Sequence, residues 1–344
     1  MALRITMAFS ENPRVQPIKD GTVKPEHIEL DIVTANLGTL FFRNLKYDEF
    51  DASEMSISGS LLARDRTDGN RWDWSAIPVF LSRGHFWTGL YVNTTSGING
   101  FGDLKGKRIG VPDYDMTAAL WMRIALKDLY GIEAADNTWY NGRSKALSQG
   151  APVGLDREGP RGVTVEWLND GQTLDQMLDR GELDAAIIRP QTALAPGHTV
   201  SVDRYGGTPL TGNPRIRMLA GDGGREIITD FFRQTGVHMV NHHVIVQNRI
   251  LKEHPWVAMD LFNTFRRSKE VAYQRARQEM RSYLYFDGSD LRQQAEIFGS
   301  DPYPLGLQAM GKTVERAVQG SLEQGLIGKR VQLSDIYHES TLGT

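Results

Sequence analysis

The sequence predicts an α/β protein of two lobes with a ligand cleft between them. Short apolar runs and helical patterns alternate along the whole chain, the rhythm of βα units. A length of 344 residues suits two domains of ordinary size. A β-rich run at 237–247 follows a block of βα units, and there the chain is expected to rejoin its first part. Residues 1–100 together with 237–344 then form the first lobe, and 101–236 the second. Such a double crossing makes a hinge, and a cleft between lobes favours a small ligand. A single doubly wound domain with surface insertions is the alternative.

The elements follow in order. Leu3–Phe9 is a strand, and Ile28–Thr34 is a second one after the turn signals Gly21 and Pro25. Residues 40–45 suit a helix and 51–57 a strand or tight turn. Strands are expected at 77–81 and 89–93, and 104–110 opens a new βα rhythm. Residues 139–162 are rich in Gly, Pro and charge without a period, which predicts a long loop near the site mouth. A strand at 163–167 precedes a helix at 173–180 ended by Gly181. Residues 183–189 form a strand closed by Pro190, and 227–235 are helical. After the β-rich run, Pro255 opens a long helix in which Val257, Leu261 and Phe265 share one face. Residues 303–324 are helical again.

Composition narrows the function classes. The hydrophobic fraction of 40% and charged fraction of 24% are those of a soluble globular protein. A net charge of −3 gives no bulk attraction to nucleic acid or an anionic membrane. The absence of cysteine excludes disulfides, thiolate metal ligands and a cysteine nucleophile. No run approaches the length of a membrane-spanning helix. Residues 1–9 look like a first strand rather than a basic segment followed by a long apolar one, so a cytoplasmic protein is expected. No Gly-x-Ser-x-Gly elbow, Walker A sequence or dinucleotide fingerprint is present.

The most informative stretch is Gly106-Lys-Arg-Ile-Gly-Val-Pro-Asp-Tyr-Asp-Met-Thr-Ala-Ala-Leu-Trp-Met-Arg123. Lys107 to Val111 reads as a short buried strand closed by Pro112, with a helix opening at Asp113 to Asp115. Asp115 or Asp113 can cap that helix, because a carboxylate accepts from the free N–H groups of the first turn. The remaining N–H groups and the helix dipole then face the space beyond the strand end, a ready site for an anionic group. A small carboxylate touching Tyr114, Met116 and Thr117 is the expected ligand. An ordinary βα unit without a ligand would show the same pattern.

An ordered set of segments carries a family resemblance: Phe50-Asp-Ala-Ser-Glu-Met-Ser56, Pro78-Val-Phe80, Tyr91-Val-Asn93, Asp103-Leu-Lys-Gly-Lys-Arg-Ile-Gly-Val-Pro112, Thr117-Ala-Ala119, Gly181-Glu-Leu-Asp184, His254-Pro-Trp256 and Phe298-Gly-Ser-Asp301. Together, over nearly the whole chain, they resemble the 4,5-dihydroxyphthalate decarboxylase family. The resemblance implies a two-lobed type 2 periplasmic-binding-protein-like fold recruited for catalysis, and a place in the breakdown of aromatic compounds such as phthalates. Family members tend to show Arg-x-Phe-Arg-His after the Pro-Val-Phe strand. Here Arg83-Gly-His-Phe-Trp87 keeps the arginine and moves the histidine two positions early. The return strand reads His238-Met-Val-Asn-His-His243, with His242 at the matching position.

Decarboxylating a hydroxylated aromatic acid replaces a ring carboxylate with a proton. It needs a proton donor near that carbon, groups that orient carboxylates, and an acceptor for the phenol proton. The substrate ring is its own electron sink, so no cofactor is required. Histidine is the natural donor, because its pKa lies near working pH. His85, past a strand end, and His242, at the family position, are the candidates. His242 and His243 are adjacent on an apparent strand and should point to opposite faces. No metal is expected. The site one could imagine would use His85, His238 and His242.

Arg14, Arg83, Arg123 and Arg189 are candidate carboxylate clamps, with position favouring Arg83 and Arg189. Glu54 is a base or phenol-proton acceptor, or else a buried carboxylate bonded to loop N–H groups. Ser56 and Ser58 are hydrogen-bond donors to ligand. Trp87 and Trp121 can stack on an aromatic ring or pack in the core. The expected partner is a small aromatic carboxylate, as the substrate of a cofactor-independent decarboxylase or as the ligand of a solute-binding protein. Nucleic acid and membrane are not expected partners, and a homo-oligomer is left open.

Overall fold

The computed structural model describes residues 2–66, 71–188, 210 and 212–344. The chain begins with β1 (Leu3–Phe9), the short helix α1 (Gln16–Lys19) and β2 (Ile28–Thr34), followed by α2 (Leu37–Tyr47) and β3 (Ala52–Ser56). Then come α3 (Ile57–Arg66), β4 (Trp74–Ser82), β5 (Leu90–Asn93) and β6 (Arg108–Val111). Helix α4 (Thr117–Tyr130) leads to β7 (Thr138–Asn141), β8 (Thr164–Trp167), α5 (Leu174–Asp179), β9 (Ala185–Ile187) and β10 (Ile216–Met218). The remainder is α6 (Arg225–Thr235), β11 (His242–Gln247), α7 (Asn248–Glu253), α8 (Val257–Tyr283), α9 (Asp287–Phe298), α10 (Leu307–Glu323) and α11 (Leu333–Ile336).

The strands form two sheets, ordered β2-β1-β3-β11-β4 and β10-β5-β9-β6-β7-β8. In the first, β1 runs parallel to β2 and β3, while β11 lies antiparallel between β3 and β4. In the second, β9, β6, β7 and β8 are mutually parallel, and β5 lies antiparallel to β9 and β10. The chain therefore crosses to the second sheet between Ser82 and Leu90 and returns between Met218 and His242.

Each sheet face has its own apolar cover. Ile5, Met7 and Phe9 alternate along β1 and meet Val257, Leu261 and Phe265 of α8, the face that the i, i+4 spacing predicts. The Phe9 and Phe265 rings pack edge to face at 5.7 Å. Burying each such side chain stabilises the lobe by roughly 1.5–3 kcal/mol. The opposite face of β1, through Ala8, joins a core that extends through α3 and α4 into the second sheet. Helix α4 crosses α10 so closely that a Cβ on Gly320 would lie 2.4 Å from the Ile124 side chain. It ends at Gly131, whose φ of 67° suits a residue without Cβ. Among the described residues, no helix is long and apolar enough to cross a membrane.

Several local expectations change. Helix α4 begins at Thr117, and its N-cap is Met116, with no side-chain cap. Asp113 turns instead to the 144–150 loop, accepting from Ser148 Oγ and Gln149 N–H, each at 2.8 Å. The predicted aspartate cap is thus lost to a tertiary partner. Trp139 belongs to β7, not to the loop, because its indole is buried and donates to the Ala134 carbonyl. The return strand starts only at His242. His238 precedes it and packs on Phe232 and Phe298, so His238 and His242 do not share a strand face. Helices α1, α3, α7, α9 and α11 and strand β10 add to the elements expected from the sequence.

Candidate functional site

The site grows from the pairing of β3 with β11. His242 lies opposite Ser56, and Val244 opposite Glu54, so Glu54 and His242 stand diagonally on one face. Glu54 Oε1 and His242 Nδ1 are 2.6 Å apart. Glu54 Oε2 accepts from the backbone N–H of Ser10 at 3.0 Å and from its hydroxyl at 2.7 Å. Burial alone would raise the Glu54 carboxyl. The hydrogen bond and charge of His242, with the two bonds from Ser10, outweigh it and hold the group below its usual value. An ionised Glu54 accepts the Nδ1 proton and leaves Nε2 of His242 uncommitted. Each Glu54 oxygen carries a hydrogen bond, Oε1 with His242 and Oε2 with Ser10, so the carboxylate fixes the orientation of the imidazole. Phe41 of α2 meets the His242 ring edge-on at 4.7 Å. His243 points the other way, as alternation requires. Its Nε2 lies 2.8 Å from Ser60 Oγ and its Nδ1 3.2 Å from the Tyr337 hydroxyl. Burial, then the neighbouring His242, pushes it down to about 3.

Two arginines converge nearby. Arg14 follows β1, with its N–H on Asn12 Oδ1 at 2.9 Å and its carbonyl accepting from Ser268 Oγ at 2.7 Å. Its guanidinium also donates to the Leu81 carbonyl at the end of β4. Arg83 lies just beyond that strand. Both guanidinium carbons sit over the ring of Tyr303, at 3.8 Å for Arg14 and 4.3 Å for Arg83. Burial is the main force lowering both, Arg83 to about 10, so Arg83 remains a cation at neutral pH. Nε and Nη2 of Arg83 and Nη1 of Arg14 are buried without a hydrogen-bond partner. Native structures rarely leave such donors unpaired. Here three such donors lie around one ring, where an anion could accept from them. Tyr303 is itself held by Asp301, which accepts from the Tyr303 N–H at 3.1 Å, from Lys269 Nζ at 2.5 Å and from the Tyr273 hydroxyl at 3.3 Å. Sequence reasoning missed Tyr303. Its one signal was the Phe298-Gly-Ser-Asp301 segment two residues before it.

His85 joins this group with a buried, unpartnered Nδ1. Burial and then the Arg83 charge push it down to about 4, so it is neutral at neutral pH. It is therefore a poor acid but a capable hydrogen-bond partner. His238 is lowered to about 4 by the same two causes in the same order.

The second sheet contributes through α4. Ser56 Oγ and Thr117 Oγ1 are 2.9 Å apart, and the Ser58 N–H donates to Thr117 Oγ1 at 3.1 Å. These bonds tie the β3–α3 junction to the start of α4, while Ser58 Oγ is buried without a partner. Met116 is half-buried at the same turn. Tyr114 faces away, with its hydroxyl donating to the Gln324 carbonyl at 3.1 Å and Arg123 over its ring at 3.7 Å. Arg123 is fixed there by Gln324 Oε1 and the Tyr114 carbonyl, both at 2.6 Å, and is buried in the core with Nη1 unpaired. Trp121 is a core residue that donates to the Val240 carbonyl at 2.7 Å. Trp87 is fully buried beside His85 and Phe101, so neither indole offers a free face for stacking. Arg189 lies outside the described residues. Among the described residues, no group of three or more His, Asp or Glu side chains could hold a metal ion.

Comparisons with known proteins add to this geometry. No protein-family model matches the chain. The fold is similar to that of the periplasmic aliphatic sulphonate binding protein SsuA from Escherichia coli, with a TM-score of 0.52 at 12% identity over 100% of both chains. That likeness makes the fold periplasmic-binding-protein-like. A 4,5-dihydroxyphthalate decarboxylase from Comamonas testosteroni is 27% identical over 99% of this chain and 98% of its own length. A second, from Pseudomonas putida, is 33% identical over 197 residues, which is 57% of this chain and 74% of the relative. The ordered segments of the sequence and these alignments agree, and the chain belongs to the 4,5-dihydroxyphthalate decarboxylase family.

Proposed function

We propose that this protein is a carboxy-lyase acting on a hydroxylated aromatic acid with adjacent carboxylates, a compound like 4,5-dihydroxyphthalate. One observation carries the reading: unspent guanidinium donors on Arg14 and Arg83 lie in the same lobe as the Glu54–His242 pair. The substrate sits between the lobes, whose exchange points we place at the two sheet crossings, which moves β5 into the second lobe. Arg14 and Arg83 engage the carboxylates through charge-assisted hydrogen bonds. Ser56 and Ser58 of the first lobe meet Thr117 and the Met116 turn of the second where the two walls join. Neutral His85 is a hydrogen-bond partner for a ring hydroxyl.

Protonated His242, oriented by Glu54, gives its Nε2 proton to the ring carbon that bears the leaving carboxylate. Electrons for the new C–H bond come from a phenolate oxygen para or ortho to that carbon, formed when the ring hydroxyl gives its proton to water. The C–C bond to the carboxylate then breaks, its electron pair restores the aromatic ring and the phenolate, and carbon dioxide departs. The substrate gains one proton and loses one carbon dioxide, and His242 regains its proton from water.

The test is incubation of the purified protein with hydroxyphthalates and hydroxybenzoates in deuterated water. Carbon dioxide release with deuterium at the vacated carbon is expected. Tight binding without carbon dioxide release from any of them would turn the reading to a solute-binding protein, the role named for SsuA.

A further inference from the structure

From the shared contact of Arg14 and Arg83 with one ring, we infer that Tyr303 is the positioning residue that sets the two guanidinia for a ligand with two neighbouring carboxylates. This rests on the dicarboxylate reading above. Two like charges brought together away from water repel; the Leu81 carbonyl at the end of β4 accepts from the Arg14 guanidinium, whereas Nε and Nη2 of Arg83 have no such partner. Arg14 comes from the loop after β1, Arg83 from the end of β4. Their common neighbour is the Tyr303 face. An aromatic face attracts a cation electrostatically, and it does so on both sides. The ring also fills space that water would otherwise enter, so the unspent N–H groups stay aimed at a ligand.

The ring is not loosely placed. Asp301 fixes the backbone of Tyr303 and is itself held by Lys269 and Tyr273 of α8. Lys269 Nζ also donates to the Tyr303 carbonyl at 2.9 Å. The anchor thus runs from the helix packed beneath the first sheet, through Asp301, to the ring and then to both arginines. A monocarboxylate needs only one guanidinium. Two adjacent carboxylates need both at a fixed spacing, so Tyr303 governs selectivity for dicarboxylates. The ring carries this role, and Tyr303→Phe should preserve it.

The experiment is calorimetric titration of phthalate and of benzoate into the full chain, with melting temperatures measured alongside. The parent protein should prefer phthalate. Tyr303→Phe should keep that preference, and Tyr303→Leu should lose it by about tenfold, the scale of a desolvated cation–π contact. With hydroxylated substrate, Tyr303→Leu should raise KM while kcat stays within a few fold. Asp301→Asn should shift the preference in the same direction by less, and it serves if Tyr303→Leu does not fold. Folded Tyr303→Leu or Asp301→Asn variants with the parent's preference would overturn the positioning role alone. A parent protein that binds phthalate no better than benzoate would overturn the dicarboxylate reading and this inference with it.

Discussion

Arg83 and Arg123 are both arginines in apolar surroundings, and burial lowers both to about 10. Arg123 is 2% exposed and largely used, with Gln324, the Tyr114 carbonyl and the Tyr114 ring around it and Nη1 alone left unpaired. Arg83 has the ring of Tyr303 and no hydrogen bond to Nε or Nη2. Neither burial nor a displaced pKa distinguishes a binding residue from a structural one. The distinction is how much hydrogen-bonding capacity the fold has already consumed. Arg123 is a strut between α4 and the end of α10, whereas Arg83 keeps two donors that the fold has not used, as the proposed carboxylate contact requires.

The sharpest test of the reactive side is His242→Gln. Turnover should fall by about a hundredfold or more, the usual scale for a general acid, while phthalate binding persists. Parent-like turnover would remove His242 as the donor and pass the proton to another group. The two arginines should then separate cleanly. Arg83→Lys replaces a planar fork with a point charge, so KM should rise by about tenfold with little change in melting temperature. Arg123→Met should do the reverse. Stability should fall by about 1–3 kcal/mol for each acceptor left unpaired, and the folded fraction should keep its KM. A variant of Arg123 with raised KM and unchanged melting would dissolve the contrast.

The smallest effect concerns acid stability. The folded values of His85 and His238, about 4, and of His243, about 3, lie below the ordinary histidine value. The unfolded chain therefore binds protons that the folded chain refuses. Their contribution is fully present above about pH 6.5 and declines as pH falls toward 4, by up to about 1.4 kcal/mol per pH unit for each proton. The Glu54 contribution, from a depressed carboxylate, is lost only at more acid pH. His243→Gln cannot titrate there, so urea unfolding of that variant should show a shallower loss between pH 6 and 4. An unchanged slope would remove His243 from the account.

What the sequence disclosed was local, and what it hid was long-range. The bounds of β1 and β2, the apolar face of α8 and the opposed directions of His242 and His243 follow from periodicity within a few residues. Arg14, Arg83, Glu54 and His242 were recognisable as candidates because they follow strand ends or match family segments, and the fold brings them into one lobe. Asp113 was misread because its partners, Ser148 and Gln149, are in a loop with no local signature. Trp87 and Tyr114 lie next to site residues in sequence, yet the fold turns both into the core. Tyr303 could not be found from spacing, because nothing near it announces the two arginines that arrive from β1 and β4. Helix α9 was invisible for a related reason: none of its residues is buried, so it shows no apolar stripe.

The place of β11 also bears on the order in which the molecule can be made. It is the fourth strand across the first sheet but the last to leave the ribosome, and β3 and β4 both pair with it. Throughout synthesis of the second sheet, those two strands present open edges to each other with the slot between them empty. Exposed strand edges invite wrong pairing. The same six residues that close this slot bring His242 to Glu54, across 188 positions of chain. Completion of the sheet and assembly of the reactive pair are thus a single event, and a nascent chain has neither until residue 242 has emerged.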